Sequence, residues 1–231
     1  MKTLAIEMST DTGSLALLSG RDVVAQRCWT ESHAERQVFF AALAELFEAE
    51  RLDPAEVDRI AVGVGPGSFA GLRMAVAAAC GLAAPGGRTV MGIGSPDAVA
   101  ADVLAVSDAE EVVVWGDARR QELWAVRFRR GADWPERQGL LAVGGMTSVP
   151  GDWRRDRSVW VTADWNRIGA RLAALRPGGV ILQERPCIPS ACSLGRLAVA
   201  RCEKGAPTEP LAPVYVHPAV AVKPAGPADG G

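Results

Sequence analysis

The chain has 231 residues, with 25 Lys+Arg against 27 Asp+Glu and a formal charge of −2. That length suits one large domain or two small ones, and the charge balance excludes a histone-like protein or a polybasic membrane binder. With 48% apolar residues, 25 Gly and 15 Pro, the chain can bury a core and is neither low-complexity nor globally disordered.

Residues 4–8 (Leu-Ala-Ile-Glu-Met) read as a strand that begins almost at the first residue, without the features of a signal peptide. A polar turn at 9–13 leads to a return strand at 14–18. Gly20-Arg21-Asp22 turns the chain into a third strand at 23–29. Ser32, with Glu35 three residues on, makes a capping box for a helix over residues 33–50. Phe39, Leu43, Leu46 and Phe47 form one stripe on it, and Phe40 and Ala44 widen the apolar surface beyond a single face. Residues 59–64 read as a central strand. Gly65-Pro66-Gly67 then opens a helix over 68–84 built mainly of Ala and Gly and stopped by Pro85-Gly86-Gly87. A strand at 89–93 follows, and Ser95-Pro96-Asp97 opens a further helix.

The second half repeats this order. Strands are predicted at 112–115, 122–128, 158–163 and 180–182, with a turn at 116–120 and helices at 165–175 and 190–202. The arrangement implies two α/β halves, 1–108 and 109–222, and a disordered tail at 223–231. No uncharged apolar run is long enough to span a bilayer, the longest being 74–84. The expectation is a cytoplasmic chain without a membrane partner.

Cys28, Cys80, Cys187, Cys192 and Cys202 include no C-x-x-C pair and read as incidental reduced thiols. His33 and His217 stand far apart, which argues against a zinc site. The run from Gly63 to Arg73 follows a strand and opens a helix. Backbone N–H groups at Gly65, Gly67 and Ser68 can hold a phosphate or carboxylate there. It is no Walker loop, and Pro66 and Phe69 spoil a dinucleotide fingerprint. A tight turn packing a small-residue helix on the sheet is the favoured reading. Ser9 and Thr10 lie in a hydroxyl-rich turn that can also wrap phosphates, although ordinary polar turns are commoner.

Between Trp115 and Arg176 there are 12 Arg against 7 Asp+Glu, and six of the seven Trp. Basic residues among aromatics can hold RNA. The whole chain has 22 Arg and 3 Lys, however, so a solvated basic face is the favoured reading. No Gly-x-Ser-x-Gly elbow, His cluster or paired nucleophile emerges.

Five features occur in an order that resembles the bacterial TsaB (YeaZ) family. They are the strand-turn opening at 4–10, Ser32-His33, the run Gly65-Pro66-Gly67-Ser68-Phe69-Ala70-Gly71-Leu72-Arg73, Asp117-Ala118-Arg119 with Glu122, and the closing Leu211-Ala212-Pro213-Val214-Tyr215-Val216. Two positions depart from the family pattern: Glu7, where members usually have Asp, and Ala70, where they often have Thr. The resemblance implies a duplicated α/β fold of the actin/Hsp70/sugar-kinase (ASKHA) type. It also implies a non-catalytic, cofactor-free subunit serving the TsaD-like transferase that builds threonylcarbamoyladenosine beside the tRNA anticodon. TsaD-like proteins hold a metal through paired histidines, a pair that this sequence lacks.

Implied partners are the transferase subunit, a second copy of this chain, a TsaE-like ATPase subunit, and tRNA through the complex. Family members pair through helices of the N-terminal half. Phe39, Phe40, Leu43, Phe47, Met74, Ala78 and Leu82 are therefore expected to contribute to the contact. The rival expectation is an ATP-dependent phosphotransferase or hydrolase, with Glu7 or Asp11 and Ser68 at its site.

Overall fold

The computed structural model describes residues 1–30, 38–143, 153 and 158–216. The predicted capping box at Ser32 and Glu35, both histidines and the tail at 223–231 lie outside the described residues. In chain order the elements are β1 (Lys2–Glu7), β2 (Thr12–Ser19), β3 (Asp22–Thr30), α1 (Val38–Ala49), β4 (Arg59–Gly63), α2 (Phe69–Ala83), β5 (Thr89–Ile93) and α3 (Ser95–Ala105). The second half has β6 (Glu111–Arg119), β7 (Glu122–Arg129), β8 (Glu136–Val143), β9 (Val159–Thr162), α4 (Trp165–Leu175), β10 (Ile181–Pro186) and α5 (Ala191–Glu203).

The duplication is explicit in the topology. One sheet has the order β3-β2-β1-β4-β5 and the other β8-β7-β6-β9-β10. In each, the first three strands form an antiparallel meander, and the fourth and fifth run parallel to the first. Strands near the middle are buried on both faces, as β1 and β4 are. The edge strand β3 alternates between exposed and half-buried residues.

The helices that close each half exchange places. α1 and α2 cover one face of the first sheet, and α5 from the far end of the chain covers the other. α3 lies on the second sheet and against α5, while α4 covers the second sheet's remaining face. Buried between sheet and helix, α3 has little exposed surface along its first turns, Ser95 to Ala100. Among the described residues four apolar clusters result, one for each helix layer. Val214 packs against the first cluster and Val216 against the second, so the closing segment ties the halves together.

The turn expected at 116–120 is placed too early. β6 continues to Arg119 and pairs Asp117 with Leu123, and the chain reverses at Arg120 and Gln121 with φ of 49° and 64°. Gly116 is a mid-strand residue, because the Trp124 indole across the ladder occupies the space a Cβ would need. In the sequence, Gly-Asp mimics a turn where the structure uses glycine for close approach. The strand β8 went unread. It carries Gly139 and polar residues, and its pairing with β7 is broken by a bulge.

Trp115, Trp124, Trp153 and Trp160 are buried, so these indoles serve the core. The aromatic half of the RNA motif read in the sequence is therefore not a surface feature at these positions.

Candidate functional site

Two regions draw on the predicted residues: a cleft between the halves and the outer face of α1 and α2. The cleft measures about 1000 Å³. Ser9, Thr10, Gly67 and Ser68 line one wall, and Asp117, Arg119, Asp164 and Arg167 the other. Gly65 stands behind the wall rather than on it.

The first wall is built around Glu7. Its Oε1 accepts the Ser9 amide at 2.6 Å, and its Oε2 accepts the Ser95 hydroxyl at 2.8 Å. Ser95 Oγ in turn accepts the Gly65 amide at 3.2 Å. The Ser68 amide donates to the Ser9 carbonyl at 2.7 Å, and Ser68 Oγ caps α2 by accepting the Gly71 amide at 3.3 Å. Thr10 Oγ1 closes its own turn by donating to the Thr12 carbonyl and accepting its amide. Much of the loop's hydrogen-bonding capacity thus holds the strand-to-helix turn itself in place.

Glu7 is fully buried, and that burial pushes its carboxyl above the usual carboxylate range, while the bonds from Ser9 and Ser95 pull it down. A raised carboxylate means that folding disfavours the charged form. This contribution to stability is fully present below the unfolded pKa and is lost as pH rises through the folded value. Glu7→Gln is expected to raise the melting midpoint at pH 8 while changing it little near pH 4. Thermal denaturation across that range tests it, and an equal shift at both ends would contradict it.

The second wall is ionic. Arg167, in the first turn of α4, reaches Asp11 on the β1–β2 turn at 3.8 Å and Asp117 at 3.9 Å. Asp117 also pairs with Arg119 at 3.4 Å, and its amide donates to Asp164. Arg167 thereby bridges the two halves at the cleft. Among the described residues, no group of three or more His, Cys, Asp and Glu is disposed to hold a metal ion.

The helical face differs from expectation in detail. Phe39, Leu43 and Phe47 belong to the first core, at 1%, 8% and 7% exposed, and offer no surface to a partner. Of the two residues read as widening the apolar surface of α1, Ala44 is exposed but small, and Phe40, at 57%, is the one large exposed apolar residue of the helix. Met74, Ala78 and Leu82 are half-buried against the same core. α2 turns Leu72, Ala75, Ala79 and Ala83 inward and leaves Phe69, Arg73, Ala77, Cys80 and Gly81 outside.

At its start Phe69 stacks on Tyr215 with ring centroids 5.0 Å apart, and the Arg73 guanidinium lies 5.0 Å from the Phe69 ring. Sequence reasoning missed this exposed aromatic pair, which joins residues 146 positions apart. The stretch Phe69–Gly86 is, by length and composition alone, apolar enough to cross a membrane, although Gly71, Leu72, Ala75, Ala79 and Ala83 pack inward on the sheet.

Comparison with known proteins places this architecture. The family model of TsaD, the tRNA N6-adenosine threonylcarbamoyltransferase, matches residues 30–135. A TsaB, the tRNA threonylcarbamoyladenosine biosynthesis protein, of Haemophilus influenzae is 33% identical over 52% of this chain and 51% of its own length. Escherichia coli TsaB is 26% identical over 84% of this chain and 87% of its own. The YeaZ structure from Pseudomonas aeruginosa superposes with a TM-score of 0.76 at 25% identity, over 93% of this chain and 99% of that one. In sequence and fold alike the chain is similar to the TsaB (YeaZ) proteins.

Its duplicated sheets are the TsaB form of the actin/Hsp70/sugar-kinase architecture. The chain spans 39% to 59% of the lengths of the mycobacterial relatives it matches. The Gly65–Arg73 mark of the TsaB family is the loop that locks against Ser9 and starts α2.

Proposed function

We propose that this chain is an accessory subunit in the formation of threonylcarbamoyladenosine in tRNA, binding a TsaD-like transferase through the outer face of α2 with Phe40 of α1. The observation that carries this reading is the outer face of α2, where Phe69, Ala70, Ala77, Cys80 and Gly81 lie exposed around a single charge, Arg73. Exposed apolar helical surface of this kind marks an interaction site. Gly81 adds to it. It is exposed in the last turn of α2, and a Cβ there would meet nothing. A glycine there makes no contact inside the protomer, whereas it would let a neighbouring helix approach closely.

Phe40, Met74, Ala78 and Leu82 keep the role expected of them at this face, Ala78 and Leu82 at its edge. The family names of its relatives support the pathway. A second copy of this chain would compete for the face, and a TsaE-like ATPase and tRNA would join through the assembled complex.

Ala77→Glu tests the proposal. Ala77 is exposed, so the isolated chain is expected to melt as before. Affinity for the transferase subunit is expected to fall at least tenfold, because the contact would then desolvate a carboxylate. Co-elution on sizing and calorimetry measure this. An unaltered affinity with an intact fold would refute the assignment.

The cleft favours a second reading, an ATP-dependent phosphotransferase or hydrolase with Asp11 and Ser68 at hand. Calorimetric titration of the isolated chain with Mg-ATP separates the two: tight binding with turnover supports the second. No binding, with transferase activity restored on adding this chain, supports the first.

A further inference from the structure

The sequence contains five cysteines in no paired motif, but the fold brings two of them together. Cys28 of β3 sits across the ladder from Ser14 of β2. Partners across a ladder stand on the same face of a sheet. Ser14 Oγ accepts the Ala191 amide at 2.9 Å, so that face is the one on which α5 begins. The next residue is Cys192, and its Sγ donates to the Gln26 side-chain oxygen at 2.8 Å. Gln26 precedes Cys28 by two residues on the same strand, so both side chains stand on the α5 face. The only irregularity in this ladder falls at Leu17 and Leu18, away from Ser14 and Cys28. Cys192 and Cys28 therefore share the α5 face of the sheet, each one step from the Ser14 and Gln26 contacts that dock the start of α5.

We propose that Cys28 and Cys192 are a dithiol that hydrogen peroxide closes to an intramolecular disulfide between β3 and the start of α5. Cys28 is the attacking sulfur because it is exposed, whereas Cys192 is half-buried and its thiol is held above the ordinary range, mainly by that burial. The Cys28 thiolate attacks one peroxide oxygen, the O–O bond breaks, and the leaving hydroxide takes up a proton as water. The Cys28 sulfenic acid is then attacked by Cys192 sulfur. The S–O bond breaks, the S–S bond forms, and the expelled hydroxide leaves with the Cys192 proton as a second water. Two thiols are oxidised and one peroxide is reduced.

The bond would tie together two segments that each run on into the cleft wall. Thr30, two residues beyond Cys28, lines the cleft, and so do Ile188 and Pro189, just before α5. Closing a loop from residue 28 to 192 also restricts the unfolded chain strongly.

The test uses the full chain treated with hydrogen peroxide, alkylated with N-ethylmaleimide and mapped without reduction. Two of the five thiols are expected to disappear into a Cys28–Cys192 linkage, with a rise in melting midpoint that dithiothreitol reverses. Cys28→Ser and Cys192→Ser should each abolish both effects. Cys187→Ser should retain them, which separates Cys192 from its neighbour in the sequence. Cys28 recovered as sulfinic acid without a cross-link, a linkage to Cys187 or to Cys80 of a second copy, or five unreacted thiols would overturn the proposal.

Discussion

Asp97→Ala is expected to destabilise the chain by about 3–5 kcal/mol, the cost typical of breaking a buried ion pair from one side. Asp97 lies in the first turn of α3 and is 1% exposed. Its two oxygens accept from Arg201 of α5 at 2.8 Å and from Arg137 of β8 at 2.5 Å. The Arg201 side chain is only 10% exposed. Without Asp97 it would keep its charge in a site closed to water, because a guanidinium does not give up its proton. Arg137 is 33% exposed and also pairs with Glu209 at 2.9 Å, so it retains a partner.

The interaction joins α3, α5 and the second sheet where the exchanged helices meet. Its loss should therefore loosen the two halves together rather than one strand. For a chain of this size the expected fall in melting midpoint is about 10 °C. Chemical denaturation of the variant measures the loss, and a value under about 1 kcal/mol would contradict the account. Glu209→Ala, at the exposed end of the network, should cost far less.

Gly71→Ala is expected to destabilise by roughly 2–3 kcal/mol, against the ordinary rule that alanine stabilises a helix interior by about 1 kcal/mol relative to glycine. The reason is contact. A Cβ at Gly71 would fall on the Met8 carbonyl oxygen, a backbone atom with no rotamer by which to retreat. Met8 is fixed by the buried Glu7–Ser9–Ser95 hydrogen bonds, so relief would have to come from moving α2 away from β1. That displacement would also disturb the Ser68–Ser9 bond and the cleft wall. Denaturation at neutral pH tests the sign, and a stabilised Gly71→Ala variant would mean that α2 is free to shift on the sheet.

These two sites mark the boundary of what could be read from the chain. The apolar run of β4, the Pro85-Gly86-Gly87 stop after α2 and the Pro96 start of α3 are local signals, and the structure has each of these elements within a residue or two of its expected place. The loop at Gly65–Ser68 was legible as a strand-to-helix turn because its residues are special for backbone reasons. Phe39, Leu43 and Phe47 were read as partner contacts because periodicity reports that a residue is apolar, not which of two apolar surroundings covers it. Gly116 was read as a turn because glycine serves turns and close approaches alike, and the Trp124 indole that needs its space lies across the ladder. β8 was missed because it is held at the edge of its sheet by pairing with β7, which no local pattern in its sequence announces.

The family could be named from ordered motifs, since these record local backbone needs and follow one another along the chain. The exchange of α3 and α5, the pairing of Asp97 with Arg201 and the neighbourhood of Cys28 and Cys192 could not. Each joins positions about a hundred residues apart or more, and amino-acid order carries no distance information on that scale. Local chemistry and hydrophobic period were enough for the elements and the duplicated α/β class. Only the packing of sheets against exchanged helices decided which charges are buried, which thiols meet and which helix face is left uncovered.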